Sequence, residues 1–106
     1  MDIEEMSSRL GLDRADVLDL VHLFISTSLS DLAKIRRGVE DNSPADAASA
    51  AHSIKGAAGN LGFGRIADIA KTMEMAGKDN RLDGFEPLMT DLETMLDSLQ
   101  AQLTEA

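Results

Sequence analysis

The feature that most constrains this chain is a long apolar stripe of helical period. After the pair Val17-Leu18, Val21, Ile25, Ser28, Leu32, Ile35 and Val39 follow at steps of three and four. That spacing lines one face of a single helix of about six turns. Asp13 is its predicted N-cap, with Asp16 three residues on as the reciprocal partner. The stretch Glu40-Asp41-Asn42-Ser43-Pro44 ends it and opens a second helix, with Ser43 as cap and Pro44 at the first position. This second helix is rich in alanine, runs from Pro44 to about Leu61 and stops at Gly62-Phe63-Gly64. A third is predicted from Arg65 to Ala76, with the stripe Ile66, Ile69, Ala70, Met73 and Ala76, followed by a loop at Gly77-Lys78-Asp79-Asn80. Asp83 is expected to open a fourth, with Glu86 at the reciprocal position. Pro87 falls in its first turn, where a missing N–H is tolerated. Its stripe is Phe85, Leu88, Leu92, Met95, Leu96, Leu99 and Leu103.

A short leading helix, Ile3 to Leu10, is expected to cover one end. No segment alternates with period two for long enough to make a strand. The expected fold is therefore all-α, an antiparallel up-down-up-down four-helix bundle with a short N-terminal covering helix. A chain of 106 residues suits one domain. Residues 1–12 form the leading helix and loop, and 13–104 the bundle.

Composition removes several kinds of chemistry. The chain contains no cysteine, so disulfides, thiolate metal sites and cysteine nucleophiles are excluded. Tryptophan and tyrosine are absent too, which leaves little for stacking on single-stranded nucleic acid. The net charge of −9 also disfavours a phosphate backbone as partner. That charge is uneven. Residues 1–33 hold two basic and seven acidic side chains, residues 34–81 eight and six, and residues 82–106 none and six. The acidic Met1-Asp2-Ile3-Glu4-Glu5 start is unlike a secretory signal, and no apolar run approaches the roughly 18 residues of a membrane span. The expectation is a soluble, cytoplasmic monomer.

Two histidines occur, and they differ in placement. His22 lies roughly 60° from the centre of its helix's apolar stripe, at about 100° per residue, and is expected to be partly packed. His52 stands opposite the apolar side of the second helix. Ala47, Ala50, Ile54 and Leu61 all lie roughly 160–220° away from it on the wheel. The imidazole is thus expected to face solvent. Its own face carries Ala45, Ala48, Ser49, Lys55, Gly56, Gly59 and Asn60. Each helical glycine costs roughly 0.5–1 kcal/mol relative to alanine. Gly56 and Gly59 beside an exposed histidine point to close approach by another protein surface; close packing of helices is the alternative. Neither histidine has a glutamate three residues before it, as the Glu-x-x-His pairs of di-metal bundles require. No metal site is expected.

The segment Ala51-His52-Ser53-Ile54-Lys55-Gly56-Ala57-Ala58-Gly59-Asn60-Leu61-Gly62 resembles the signature of histidine-containing phosphotransfer (HPt) domains. The likeness extends over about residues 13–103, through the long helix with Phe24 and the later Ile66 to Met73-Glu74 segment. It implies that His52 is a nucleophile that takes a phosphoryl group on its outer ring nitrogen. The donor would be an aspartyl phosphate on a receiver domain of a response regulator or hybrid histidine kinase, and another receiver would take the group onward. Lys55 would stabilise the phosphoryl charge, Glu74 would accept from the His52 Nδ1–H and fix the tautomer, and Gly56 would leave room for the receiver. Ser49, Gly59 and Asn60 would line the docking face.

Leu20 and Leu23 sit on the outer side of the first long helix. They read either as an extension of that patch or as the surface covered by Ile3, Met6 and Leu10. The chain has neither a phosphate-binding loop nor a carboxylate cluster suited to Mg²⁺. The receiver is therefore expected to bring Mg²⁺, and the chain to act as a carrier without ATP-dependent kinase activity of its own. The phosphoryl-accepting domain of a chemotaxis-type histidine kinase and a non-catalytic helical adaptor stay open as alternatives. Charge completes the expectation: a receiver's acidic site calls for a neutral to slightly positive face around His52.

Overall fold

The computed structural model describes residues 1–105, and among them every regular element is helical. In chain order these are α1 (Ile3–Leu10), α2 (Arg14–Glu40), α3 (Pro44–Leu61), α4 (Gly64–Lys78) and α5 (Phe85–Glu105). The chain makes helices because its caps and stripes agree. Asp2 accepts from the Glu5 N–H at 3.0 Å, and Asp13 from the Asp16 N–H at 2.8 Å, each satisfying an orphan donor of a first turn. Gly11 and Gly62 close α1 and α3 in the left-handed region, at φ 70° and 84°. Ser43 precedes α3 as expected, but its side chain makes no capping bond; Pro44 at the first position already removes one orphan N–H.

α2 packs against α3 and α5, α3 against α4, and α4 against α5, while α1 lies on α2. One core runs through them. It includes Val17, Val21, Phe24, Ile25, Leu32 and Ile35 of α2, Ile54 and Leu61 of α3, Ile66 and Met73 of α4, and Phe85, Met89, Leu92 and Leu96 of α5. At the end where α3 stops, the Phe24 and Phe63 rings meet at 5.2 Å between centroids. There Arg9 of α1 donates to the Leu61 carbonyl at 2.8 Å, tying the leading helix to the last turn of α3.

The structure corrects several expected positions. α5 begins at Phe85 rather than Asp83, because Gly84 adopts φ 83° and the Leu82 carbonyl takes the Phe85 N–H in a turn. Its buried stripe is Phe85, Met89, Leu92, Leu96, Leu99 and Leu103, with Leu88 and Met95 only half-buried. Gly77 and Lys78 belong to α4 and not to a loop. His22 is exposed rather than partly packed. Ala48, expected on the open face with His52, is buried, because α4 crosses there.

Helix spacing depends on two glycines the periodicity did not single out. A Cβ on Gly38 would meet the Ala47 backbone nitrogen at 2.9 Å, and one on Gly77 the Pro44 carbonyl oxygen and the Ala48 Cβ at 2.8 Å. Each therefore lets a neighbouring backbone approach α3. Gly38→Ala is expected to lower stability by about 1–3 kcal/mol, the usual effect of overpacking, measured as a lower denaturant midpoint with helical content retained. An unchanged midpoint would show that the α2–α3 contact yields freely.

Candidate functional site

α3 and α4 pack along one another, with Ala48 against Gly77, and that contact positions the site. Ala47, Ala48, Ala50, Ala51 and Ala58 are buried on α3. Of these, Ala48 lies against Gly77, so that α4 meets the backbone of α3 there, while Ala47 faces Gly38 of α2. From Ala48 forward to His52, α4 runs back from Gly77 to Glu74. Glu74 thus comes level with His52, one turn from the point where the two helices touch.

Glu74 is only 3% exposed. A carboxylate so placed needs donors, and three reach it. The His52 Nδ1 lies 2.6 Å from Oε2, Lys55 Nζ donates to Oε1 at 2.5 Å, and Lys78 Nζ is 3.3 Å from Oε2. The hydrogen bond from Lys55 holds the Glu74 carboxyl low, at about 2; burial pushes the other way, and His52 and Lys78 add to the lowering. Glu74 is therefore an anion throughout the neutral range, and an ionised carboxylate only accepts. It follows that His52 donates through Nδ1–H. In the neutral ring the lone pair is then on Nε2. The His52 side chain is 65% exposed, so the ring is held at its inner edge and open beyond it.

His52, Lys55 and Glu74 are thus brought together. Lys55 is not free, however: its ammonium is engaged by Glu74. Lys78 was missed, because its segment reads as a loop; its spacing of four from Glu74 on a helix was the available signal. Ser49 lines a shallow depression with His52, Glu74, Lys78 and Asn80. Gly56 and Gly59 are exposed, and a Cβ on either would find nothing within 4 Å. Helix packing therefore does not explain these glycines. Asn60 is exposed beside them. Leu20 and Leu23 are 37% and 58% exposed, so α1, which buries Ile3 and Met6, does not cover Leu23. Glu74 is the one acidic side chain in contact with His52 among the described residues.

The Hpt domain family model matches residues 19–102, and the chain belongs to that family. Hpt domains carry out phosphotransfer in phosphorelays, where they interact with receiver domains. Searches of curated proteins and of solved structures return no match. No described helix is long and apolar enough to cross a membrane.

The lowered Glu74 carboxyl makes a signed prediction. Its folded value, about 2, lies below the ordinary 4.5, so the unfolded chain binds the proton more readily. Its contribution to stability is present above about 4.5 and is lost as pH falls towards 2. Compared by urea denaturation in that window, the wild type is expected to lose more stability than Glu74→Gln. Equal losses would mean that the ion pairs do not stabilise the fold.

Proposed function

We propose that this domain is a phosphorelay carrier in which His52 Nε2 receives a phosphoryl group from a receiver's aspartyl phosphate and returns it to a second receiver. The observation that carries the reading is the Nδ1–H of an outward imidazole held on a buried carboxylate. The Nε2 lone pair attacks phosphorus; the N–P bond forms as the bond from phosphorus to the aspartyl oxygen breaks, and the carboxylate leaves. No proton has to move, because Nδ1 already carries its own. The ring gains positive charge as the bond forms, and Glu74, fixed beside it, stabilises that charge without reorganising. Transfer of this loose kind rests on alignment and charge rather than on further covalent chemistry.

The receiver supplies Mg²⁺ in this reading, and the domain binds no cofactor. It does not phosphorylate itself from ATP. Ser49, Gly56, Gly59 and Asn60 form the near docking face, and Leu20 and Leu23 extend it onto α2, where exposed apolar side chains favour a protein partner. The domain acts as a cytoplasmic monomer. Its bundle, residues 13–104, runs up-down-up-down with residues 1–12 leading; the pairing of successive helices and the return of α5 onto α2 support that topology.

Incubation with a phosphorylated receiver is expected to give acid-labile phosphate on the wild type and none on His52→Gln with its helical content intact. Labelled His52→Gln would reject His52 as the acceptor. Gly56→Ala and Gly59→Ala separate docking from folding. Each is expected to raise stability by about 0.5–1 kcal/mol, because the added methyl meets only solvent, yet to slow transfer from the receiver about tenfold by displacing it. Faster or unchanged transfer in both would place the receiver elsewhere.

A further inference from the structure

Two lysines reach the same buried carboxylate, and they are held differently. Among the described residues Lys55 is the one partner of Glu74 Oε1, at 2.5 Å, and its side chain is 34% exposed. Lys78 stands 3.3 Å from Oε2, the oxygen already taken by the His52 Nδ1–H, and its side chain is 69% exposed. Release of Lys55 would leave Oε1 buried without a donor, which is strongly unfavourable. Release of Lys78 would leave both oxygens of Glu74 with their partners. Lys78 also lines the depression that holds His52, Ser49 and Asn80; Lys55 does not.

We propose that the two lysines divide the work: Lys55 is a positioning residue that keeps Glu74 against His52, and Lys78 is the mobile cation that meets the phosphoryl oxygens on Nε2. This deepens the phosphotransfer reading and rests on it. It also departs from the likeness in the sequence, which gives the phosphoryl charge to Lys55. A lysine head on a flexible stem can turn from Oε2 to a nearby dianion by side-chain rotation alone. As the phosphoryl group arrives, its three oxygens spread negative charge over the mouth of the depression. Lys78 then donates N–H bonds to them, while Lys55 stays on Oε1 and the His52 tautomer is preserved. No atom is transferred to or from either lysine.

The test uses the whole chain and a donor that needs no docking. With phosphoramidate, Nε2 forms the bond to phosphorus as the P–N bond of the reagent breaks and ammonia leaves. The rate of phosphohistidine formation is followed by ³¹P NMR, and the His52 ring by ¹⁵N NMR. Lys78→Gln is expected to slow formation about tenfold with the Nδ1–H signature unchanged, and Lys78→Arg to recover most of the rate. Lys55→Gln is expected to alter the His52 tautomer spectrum and slow formation with it. Two results would overturn the division: Lys78→Gln reacting at the wild-type rate, or Lys55→Gln slowing the reaction with an unaltered His52 spectrum. A folded wild type that accepts no phosphate from either phosphoramidate or a phosphorylated receiver would remove the phosphotransfer reading and the division with it.

Discussion

The buried carboxylate of Glu74 is the constraint around which the rest of the site is arranged. An anion that is 3% exposed persists only with donors at hydrogen-bond distance. Three side chains provide them, from two helices. His52 and Lys55 come from α3, three residues apart on one face, and Lys78 comes from α4 itself, one turn beyond Glu74. The ring cannot be placed without the carboxylate, and the carboxylate cannot be placed without close packing of α3 and α4. That packing traces back to Ala48 of α3 and to Gly77, whose missing side chain admits Ala48 and the Pro44 carbonyl. Small residues thus set the position of a charge, and the charge sets the tautomer of an exposed imidazole.

Much of this was legible in the sequence. The stripe from Val17 to Val39 placed α2, and opposition to Ile54 and Leu61 placed His52 outward, because both follow from a local period of 3.6. What escaped depended on contacts between helices. In α5 two stripes interleave, one through Leu88 and Met95 and one through Met89 and Leu96, and only packing buries the second in full. Gly38 looks like any helical glycine, and Gly77 like the start of a loop, until a neighbouring backbone is seen against them. Glu74 follows Met73, a core residue, yet a glutamate on a helix ordinarily reads as solvated; its role came from family likeness and not from spacing. Lys78 stands in the last turn of α4, where the sequence Gly77-Lys78-Asp79-Asn80 has the look of a loop.

The uneven charge along the chain also takes a physical form. The central segment, with eight basic and six acidic side chains, contains His52 and both lysines. Two ammonium groups share the single carboxylate beside the ring, so the immediate surroundings carry no excess of negative charge. The acidic α5 packs on α2 and α4, away from the His52 face of α3. At the crossing of α2 and α3 the surface is mixed, with Asp31, Asp41 and Asp46 beside Lys34 and Arg37. The charge around the imidazole is thus compatible with the acidic receiver site that the proposed function requires.

The central claim is that Glu74 holds the proton on Nδ1 and so commits Nε2 to the phosphoryl group. The regiochemistry of the phosphorylated domain tests it most directly. Proton, nitrogen and phosphorus NMR correlations distinguish the two ring nitrogens of a phosphohistidine. The account predicts phosphorus on Nε2 of His52 and a proton on Nδ1. Phosphorus on Nδ1, or on any residue other than His52, would contradict it.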